Sequence, residues 1–195
     1  MARWEPNARG RLEQAALELF AERGFEQTTV DEIARRAGLT ERTFFRHFAD
    51  KREVLFGGQS SLLELLIGGI ASAPPDATPI GAVTAGLRAI TPMFEHRLDQ
   101  VRQRQAIIDA HPELQERELI KLAFLADAVT GALRDRGVPS QAASLAAQAG
   151  IAVFKIAFAR WVTQADGPDP DGNPPGLAGL MQDSLDELRA VSTAR

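Results

Sequence analysis

The stretch Gly24-Phe25-Glu26-Gln27-Thr28-Thr29-Val30-Asp31-Glu32-Ile33-Ala34-Arg35-Arg36-Ala37-Gly38-Leu39-Thr40-Glu41-Arg42-Thr43-Phe44-Phe45-Arg46-His47-Phe48-Ala49-Asp50-Lys51 decides the reading of this chain. Thr29 stands where a helix N-cap is needed, and Glu32 three residues on completes a capping-box pattern. Val30, Ile33, Ala34 and Ala37 then give one apolar face of a short helix. Gly38 follows, where a tight turn calls for positive φ at little steric cost. Thr40 caps the next short helix, Glu41 to His47, and Asp50 caps a longer one starting at Lys51. Ala34 is small where two helices must approach closely, while Ile33, Ala37, Leu39 and Phe44 are apolar at the positions that lock them at a steep angle. The pattern reads as a helix-turn-helix, which offers its second helix to the DNA major groove while the first crosses the backbone. Ala-x-x-x-Gly alone also fits an ordinary pair of packed helices joined by a Gly turn.

Upstream, Leu12, Ala15, Ala16, Leu19 and Phe20 follow the i, i+3, i+4, i+7, i+8 rule of a helix with one buried face, and Arg23-Gly24 ends it. Downstream the rhythm lengthens. Apolar periodicity predicts helices over 51–72, 79–94, 97–110, 113–136, 140–164 and 176–191, with Pro92 breaking or kinking the second and a Pro/Gly/Asp loop at 166–175. Neither a hairpin signal nor sustained period-2 alternation occurs. The expected architecture is all-α, about nine helices. Residues 1–51 would form a three-helix head and residues 52–195 a helical body.

Composition narrows the chemistry. Hydrophobic residues make up 45% and charged residues 25% of the 195, which suits a buried core and excludes disorder, collagen and coiled coil. Cysteine is absent, and only His47, His96 and His111 remain, so neither a thiolate nor a His-built metal site is expected, and no cofactor. The apolar run around Ala142 to Phe154 contains Gln148 and stops at Lys155, which reads as too short to span a bilayer. The opening Met-Ala-Arg-Trp-Glu-Pro has no apolar secretory core. The chain is therefore expected in the cytoplasm with no membrane partner. Net charge is −4, but residues 1–52 carry ten Lys/Arg against nine Asp/Glu, so position rather than total charge must argue for nucleic acid.

The flanks of the motif make that argument. The run from Gly24 to Ala34, then Ala37-Gly38-Leu39-Thr40 and Thr43-Phe44-Phe45-Arg46-His47-Phe48-Ala49-Asp50-Lys51, resembles the tetracycline-repressor (TetR) family of transcriptional regulators, densely from about Arg9 to Leu55. The resemblance implies that Thr28 and Thr29 touch backbone phosphate at the start of the motif. It places Thr40 and Thr43 on the recognition helix, and gives phosphate contacts to His47 and to Lys51, whose ammonium joins a helix N-terminus. Phe45 stands where the family commonly has Tyr, Arg42 where it often has a small residue, and Ala49 where it often has Pro. Arg42 matters most, since a forward Arg can pair bidentately with guanine O6/N7. Phe44 and Phe48 read as core, whereas Phe45 is the better candidate for lying against sugar or a thymine methyl. Arg36, with Arg35, serves either as a backbone contact or as a solvated charge, and Arg46 is one of the head's intact basic residues. Arg3 and Arg9 fit either a basic arm reaching DNA or ordinary terminal charges.

The body shows no catalytic constellation and no phosphate-binding Gly loop, so an enzyme is not expected. The resemblance implies instead a cavity among the middle helices for a small-molecule effector. Met93, Phe94, Phe124 and Phe154 are its apolar candidates, and His96, Arg97, Arg104 and His111 its polar ones; such aromatics are more often plain core, and such charges usually a solvated face. Residues 140–164 are apolar nearly all round and must be buried on several sides. Ala146, Gly150, Phe158 and Trp161 there, with Leu177, Leu180, Met181, Leu185 and Leu188 on the last helix, are the candidate dimer interface, which the family builds as a four-helix bundle. The alternative is that both helices complete the core of one chain. The combined expectation is a homodimeric regulator, repressing from a pseudo-palindromic double-stranded operator and released by a mainly apolar effector. The other reading is a helical ligand-binding or scaffolding protein without DNA binding, which the intact Thr29, Thr40, Arg42, Arg46 and Lys51 oppose.

Overall fold

The computed structural model describes residues 7–95, 97–164 and 176–193. Among these residues there are ten α-helices and one 3₁₀ helix, and no strand. The order is α1 Ala8–Arg23, α2 Val30–Arg36, α3 Glu41–His47, the 3₁₀ helix Arg52–Phe56, α4 Gln59–Ala71, α5 Pro79–Ile90, α6 Pro92–Glu95, α7 Leu98–Asp109, α8 Pro112–Asp135, α9 Ser140–Thr163 and α10 Leu177–Thr193. The all-α expectation holds. Two expected helices are each in two pieces. The one predicted from Lys51 gives way at Gly57-Gly58, where two glycines in succession carry the lowest propensity short of proline. The one predicted from Pro79 parts at Thr91, before Pro92, whose missing N–H and ring interrupt the ladder. Arg3, His96 and the 166–175 loop lie outside the described residues.

The chain divides into two compact units, Met1–Gln59 with Gln103–Glu116, and Ser60–Arg102 with Arg117–Arg195. In the first, α1 lays Leu12, Ala16 and Leu19 against Ile33 and Ala34 of α2 and Phe44 of α3, all of them buried. Val54, Leu55 and Phe56 close this core from one direction, and Ile108 and Leu114, both with no exposed surface, fill it from residues distant in sequence. An Arg23–Glu32 ion pair at 2.7 Å ties the end of α1 to α2.

In the second unit α9 packs against both α5 and α10. Close approach is written in glycine. A Cβ on Gly86 would lie 2.6 Å from the Leu66 carbonyl oxygen, so α4 and α5 meet backbone to backbone. Gly150 of α9 is covered by Val83 of α5. Arg136 follows α8 and donates to the carbonyls of Ile70, Ala73 and Pro74 at 3.1, 3.0 and 2.6 Å, supplying donors that the end of α4 lacks.

These contacts correct part of the expected dimer interface. Gly150, Trp161, Leu177, Leu180, Met181 and Leu185 are buried inside a single chain, and Ala146, Phe158 and Leu188 pack half-buried on the same core. Side chains that have already left water have little area to offer a partner. What α9 leaves outside is a different stripe, Ala142, Leu145, Ala152, Ile156 and Ala159, with Leu145 66% and Ile156 57% exposed. Helix α9 also turns out long and apolar enough to cross a membrane by length and composition, against the sequence expectation. Eight of its residues are nevertheless buried against neighbouring helices, the signature of a core helix.

Candidate nucleic-acid interface

The helix-turn-helix is assembled by local chemistry. The Thr29 N–H donates to Glu32 Oε2 at 2.9 Å while Thr29 Oγ1 accepts from the Glu32 N–H at 3.3 Å, a complete capping box at the start of α2. After Ala37 the chain turns through Gly38 at φ +66°, and the Leu39 N–H reaches back to the Ala34 carbonyl at 2.8 Å. The side chain of Thr40 then caps α3, accepting from the Thr43 N–H at 3.2 Å. Phe44 anchors α3 with no exposed surface, its ring 5.4 Å from that of Phe48. With Phe44 fixed inward, the helical period sends Arg42, Phe45 and Arg46 outward. All three are exposed, Phe45 by 53%, and among the described residues neither Arg42 nor Arg46 makes an ion pair. The face combines two guanidinium groups with one uncovered aromatic ring.

Hydrogen bonds assign several expected DNA contacts to other work. Thr28 is buried, and its hydroxyl donates to the Gly24 carbonyl at 2.9 Å, so no phosphate can reach it. The Lys51 ammonium donates to the carbonyls of Phe25, Glu26 and Thr28 at 2.8, 3.2 and 3.3 Å and sits 4.4 Å above the Phe25 ring. Its three donors are spent on the loop that precedes α2. Arg36 grips Glu22 with two parallel hydrogen bonds at 2.9 and 2.7 Å and touches Glu18 at 3.4 Å, joining α2 to α1. That grip raises the guanidinium pKa and lowers that of the Glu22 carboxyl, chiefly through the hydrogen bonds themselves. Arg35 pairs with Asp31 at 2.6 Å on the surface. Arg9 bonds to Glu13 and to the Gly57 carbonyl. His47 is half-buried, with Nε2 enclosed and unpartnered among the described residues. Thr40 and Thr43 share a 3.0 Å hydroxyl contact.

Asp50 accepts from the N–H groups of Arg52 and Glu53 at 2.8 and 3.1 Å and pairs with the Arg52 guanidinium at 2.7 Å, which caps the 3₁₀ helix. Burial pushes this carboxyl up, but the Arg52 and backbone hydrogen bonds outweigh it and its pKa is lowered. The partners Glu18 and Glu22, and the part of residues 103–116 in this unit, escaped the sequence reading. Only the acidic i, i+4 pair on α1 hinted at a receptor for an Arg.

Two predictions arise here. Lys51→Met is expected to lower stability by about 1–3 kcal/mol, by removing the donor that three carbonyls share, while leaving the salt dependence of DNA binding unchanged. A slope reduced by about one would return Lys51 to the phosphates. The second concerns acid. Glu32 is held below its ordinary 4.5 by the Thr29 N–H first and the Thr29 hydroxyl next, with Arg23 adding attraction. Its contribution is complete above 4.5 and is lost as pH falls through the lower folded value. Glu32→Gln should therefore flatten the acid limb of a stability-against-pH curve, and an unaltered limb would show that the capping carboxylate is not coupled to folding.

Among the described residues, the expected effector residues fall in more than one place. Phe94 and Phe154 meet at 6.1 Å in an aromatic cluster with Phe158 and Trp161, and half-buried Met93 precedes Phe94 on α6. Arg97 is exposed and Phe124 is 54% exposed on α8. Arg104 and His111 belong to the first unit: Arg104 donates to the Leu55 carbonyl at 2.6 Å, and the His111 ring abuts Phe25. In sequence both lie between segments of the second unit, which is why they read as part of the body. A cavity between α5, α9 and α10, lined by Val83, Leu87, Val153 and Met181 among others, holds about 10 Å³, room for one water.

Residues 13–56 match the family described as bacterial regulatory proteins, tetR family. The HTH-type transcriptional regulator TcmR of Streptomyces glaucescens is 39% identical over 82 residues, 42% of this chain and 36% of that protein, so the chain spans little more than a third of TcmR's length. The HTH-type transcriptional activator FasR of Mycolicibacterium smegmatis is 30% identical over 194 residues, covering 96% of this chain and 85% of FasR. Thermus thermophilus FadR, a TetR-family transcriptional repressor solved with lauroyl-CoA, aligns with a TM-score of 0.57 and 24% identity over 96% of each chain, a likeness of fold.

Proposed function

The chain belongs to the TetR family of bacterial regulatory proteins, and from that premise we propose that it is an effector-responsive transcriptional regulator that binds double-stranded operator DNA as a homodimer. The observation that carries this reading is the outward face of α3, where Arg42, Phe45 and Arg46 stand exposed over an anchored Phe44. A guanidinium that no carboxylate engages is available for a base edge or a phosphate, and an uncovered aromatic ring suits sugar or a thymine methyl. Thr40 and Thr43 flank that face, Thr29 stands exposed at the start of α2, and His47 ends α3. These remain the proposed DNA contacts; Thr28 and Lys51 hold the loop before α2, and Arg36 joins α2 to α1 at the surface.

Two heads related by a two-fold axis read a pseudo-palindrome, with half-sites about 34–36 Å apart or a multiple of that. Selection of duplexes from a random pool tests this, and recovered sequences without two-fold symmetry would sink it. Arg42→Ala is expected to relax specificity at one base pair per half-site and to cost about 1–3 kcal/mol, measured by binding to matched and singly mismatched duplexes. Uniform weakening across all duplexes would make Arg42 a phosphate contact.

The outcome we propose is repression relieved by a small, mainly apolar effector. The aromatic cluster of Phe94, Phe154, Phe158 and Trp161 supports the apolar chemistry, and the lauroyl chain bound by the fold neighbour FadR is of that kind. Activation is the second reading, favoured by the name of FasR, which aligns over nearly the whole chain. A reporter placed downstream of the selected sequence, with and without the protein, decides the sign.

A further inference from the structure

We infer that His111 and Arg104 are positioning residues of the DNA-binding head: they hold its motif from residues 103–116, some fifty positions beyond the motif's end. The inference rests on the DNA-binding reading above and deepens it. Three side chains in this segment do polar work on the head's backbone or rings. The Gln103 amide donates to the Leu17 carbonyl of α1 at 2.9 Å. The Arg104 Nε–H donates to the Leu55 carbonyl at 2.6 Å, and its guanidinium lies 5.1 Å above the Phe56 ring. The His111 ring meets the edge of Phe25 at 5.1 Å and 62°, while its Nδ1 lies 2.7 Å from the Ile107 carbonyl oxygen. A carbonyl can only accept, so Nδ1 carries the proton and the ring's orientation is fixed from behind.

Phe25 is the residue through which His111 acts. Its ring also touches Phe20 at 5.0 Å and carries the Lys51 ammonium, and its carbonyl accepts from Lys51. Phe25 thus fixes the start of a five-residue path to the capping Thr29, with the Thr28 N–H returning to the Phe25 carbonyl at 3.4 Å. A shift of the Phe25 ring moves the N-terminus of α2, and α3 is packed on α2. Burial of Ile108 and Leu114 anchors the segment that presents His111. None of Gln103, Arg104 or His111 lies on the outward face of α3, so their effect on DNA has to pass through geometry.

The test uses the full chain and a duplex selected from a random pool by the wild-type protein. His111→Ala is expected to weaken binding about tenfold, the equivalent of ~1.4 kcal/mol of lost pre-organisation, with an unchanged slope of log affinity against log salt. His111→Phe, which restores the ring against Phe25, should recover affinity to within about threefold of wild type. Wild-type affinity in His111→Ala overturns the proposal. So does a reduced salt slope, which would put His111 at a phosphate, or equal losses in both variants, which would deny the ring its role. Amide hydrogen exchange reads the same device without DNA: His111→Ala should accelerate exchange at Thr28, and unchanged protection there overturns the proposal. If the wild-type protein selects no duplex, the DNA reading fails while the exchange result still judges the positioning. Should His111→Ala not fold by circular dichroism, Arg104→Met takes its place, with faster exchange expected in residues 52–56 and the same salt slope.

Discussion

Phe44→Ala is expected to abolish DNA binding although Phe44 reaches no DNA, whereas Phe45→Ala, one residue along, should leave the fold intact and only weaken binding. The two phenylalanines differ in what surrounds them. Phe44 has no exposed surface and lies among Ile33, Ala34, Leu12 and Phe48 in the head's core, while more than half of Phe45 faces outward. Truncating a buried Phe to Ala costs about 3–5 kcal/mol in lost transfer energy and residual cavity. A small domain has only about 5–15 kcal/mol in total, so the head would lose a large share of its stability, and α3, seven residues long, cannot persist as an isolated helix. Thermal melting monitored on the head, together with duplex binding, separates the two cases. A Phe44→Ala protein that melts like wild type would mean that α3 is held by its caps rather than by its ring.

The contrast between these neighbours also measures how far the sequence carries. The helix-turn-helix was legible because its determinants are local: the Thr29–Glu32 capping box, Gly38 at positive φ, Thr40 at the next cap and the period that sets Phe44 inward all act within four residues. What stayed hidden is what depends on direction or on distant partners. Lys51 occupies the position of a phosphate-binding lysine, but whether its ammonium points out to a phosphate or in to the Phe25, Glu26 and Thr28 carbonyls is not written in spacing. Arg36 looked like a backbone contact because nothing near it in sequence betrayed Glu22. Residues 103–116 looked like body because a helix that crosses from one compact unit to another keeps an unbroken pattern; α7 begins at Leu98 in one unit and ends at Asp109 in the other. For α9, an apolar surface on nearly every side told of burial but not of which side faces the same chain.

We place the proposed homodimer on what α9 leaves uncovered, so Ile156→Asp should separate it while Leu185→Asp should instead unfold the chain. Ile156 is 57% exposed, and with Ala142, Leu145, the half-buried Ala149, Ala152 and Ala159 it forms a stripe of small and branched residues that recurs every three or four positions. Such a stripe permits close packing of a second copy of the helix. A carboxylate at 156 is harmless in a free chain, because water reaches it, but unpaired and desolvated in a dimer it costs several kcal/mol. Leu185 is only 3% exposed and packs inside one chain, so a carboxylate there meets the same penalty before any partner arrives. Sedimentation should show Ile156→Asp as a folded monomer with wild-type helicity. Its affinity for the selected palindrome should fall by about 10²–10⁴-fold, the avidity that a second tethered head supplies, while binding to a single half-site stays unchanged. A folded Leu185→Asp monomer, or an Ile156→Asp protein that remains dimeric, would move the interface away from the outward face of α9.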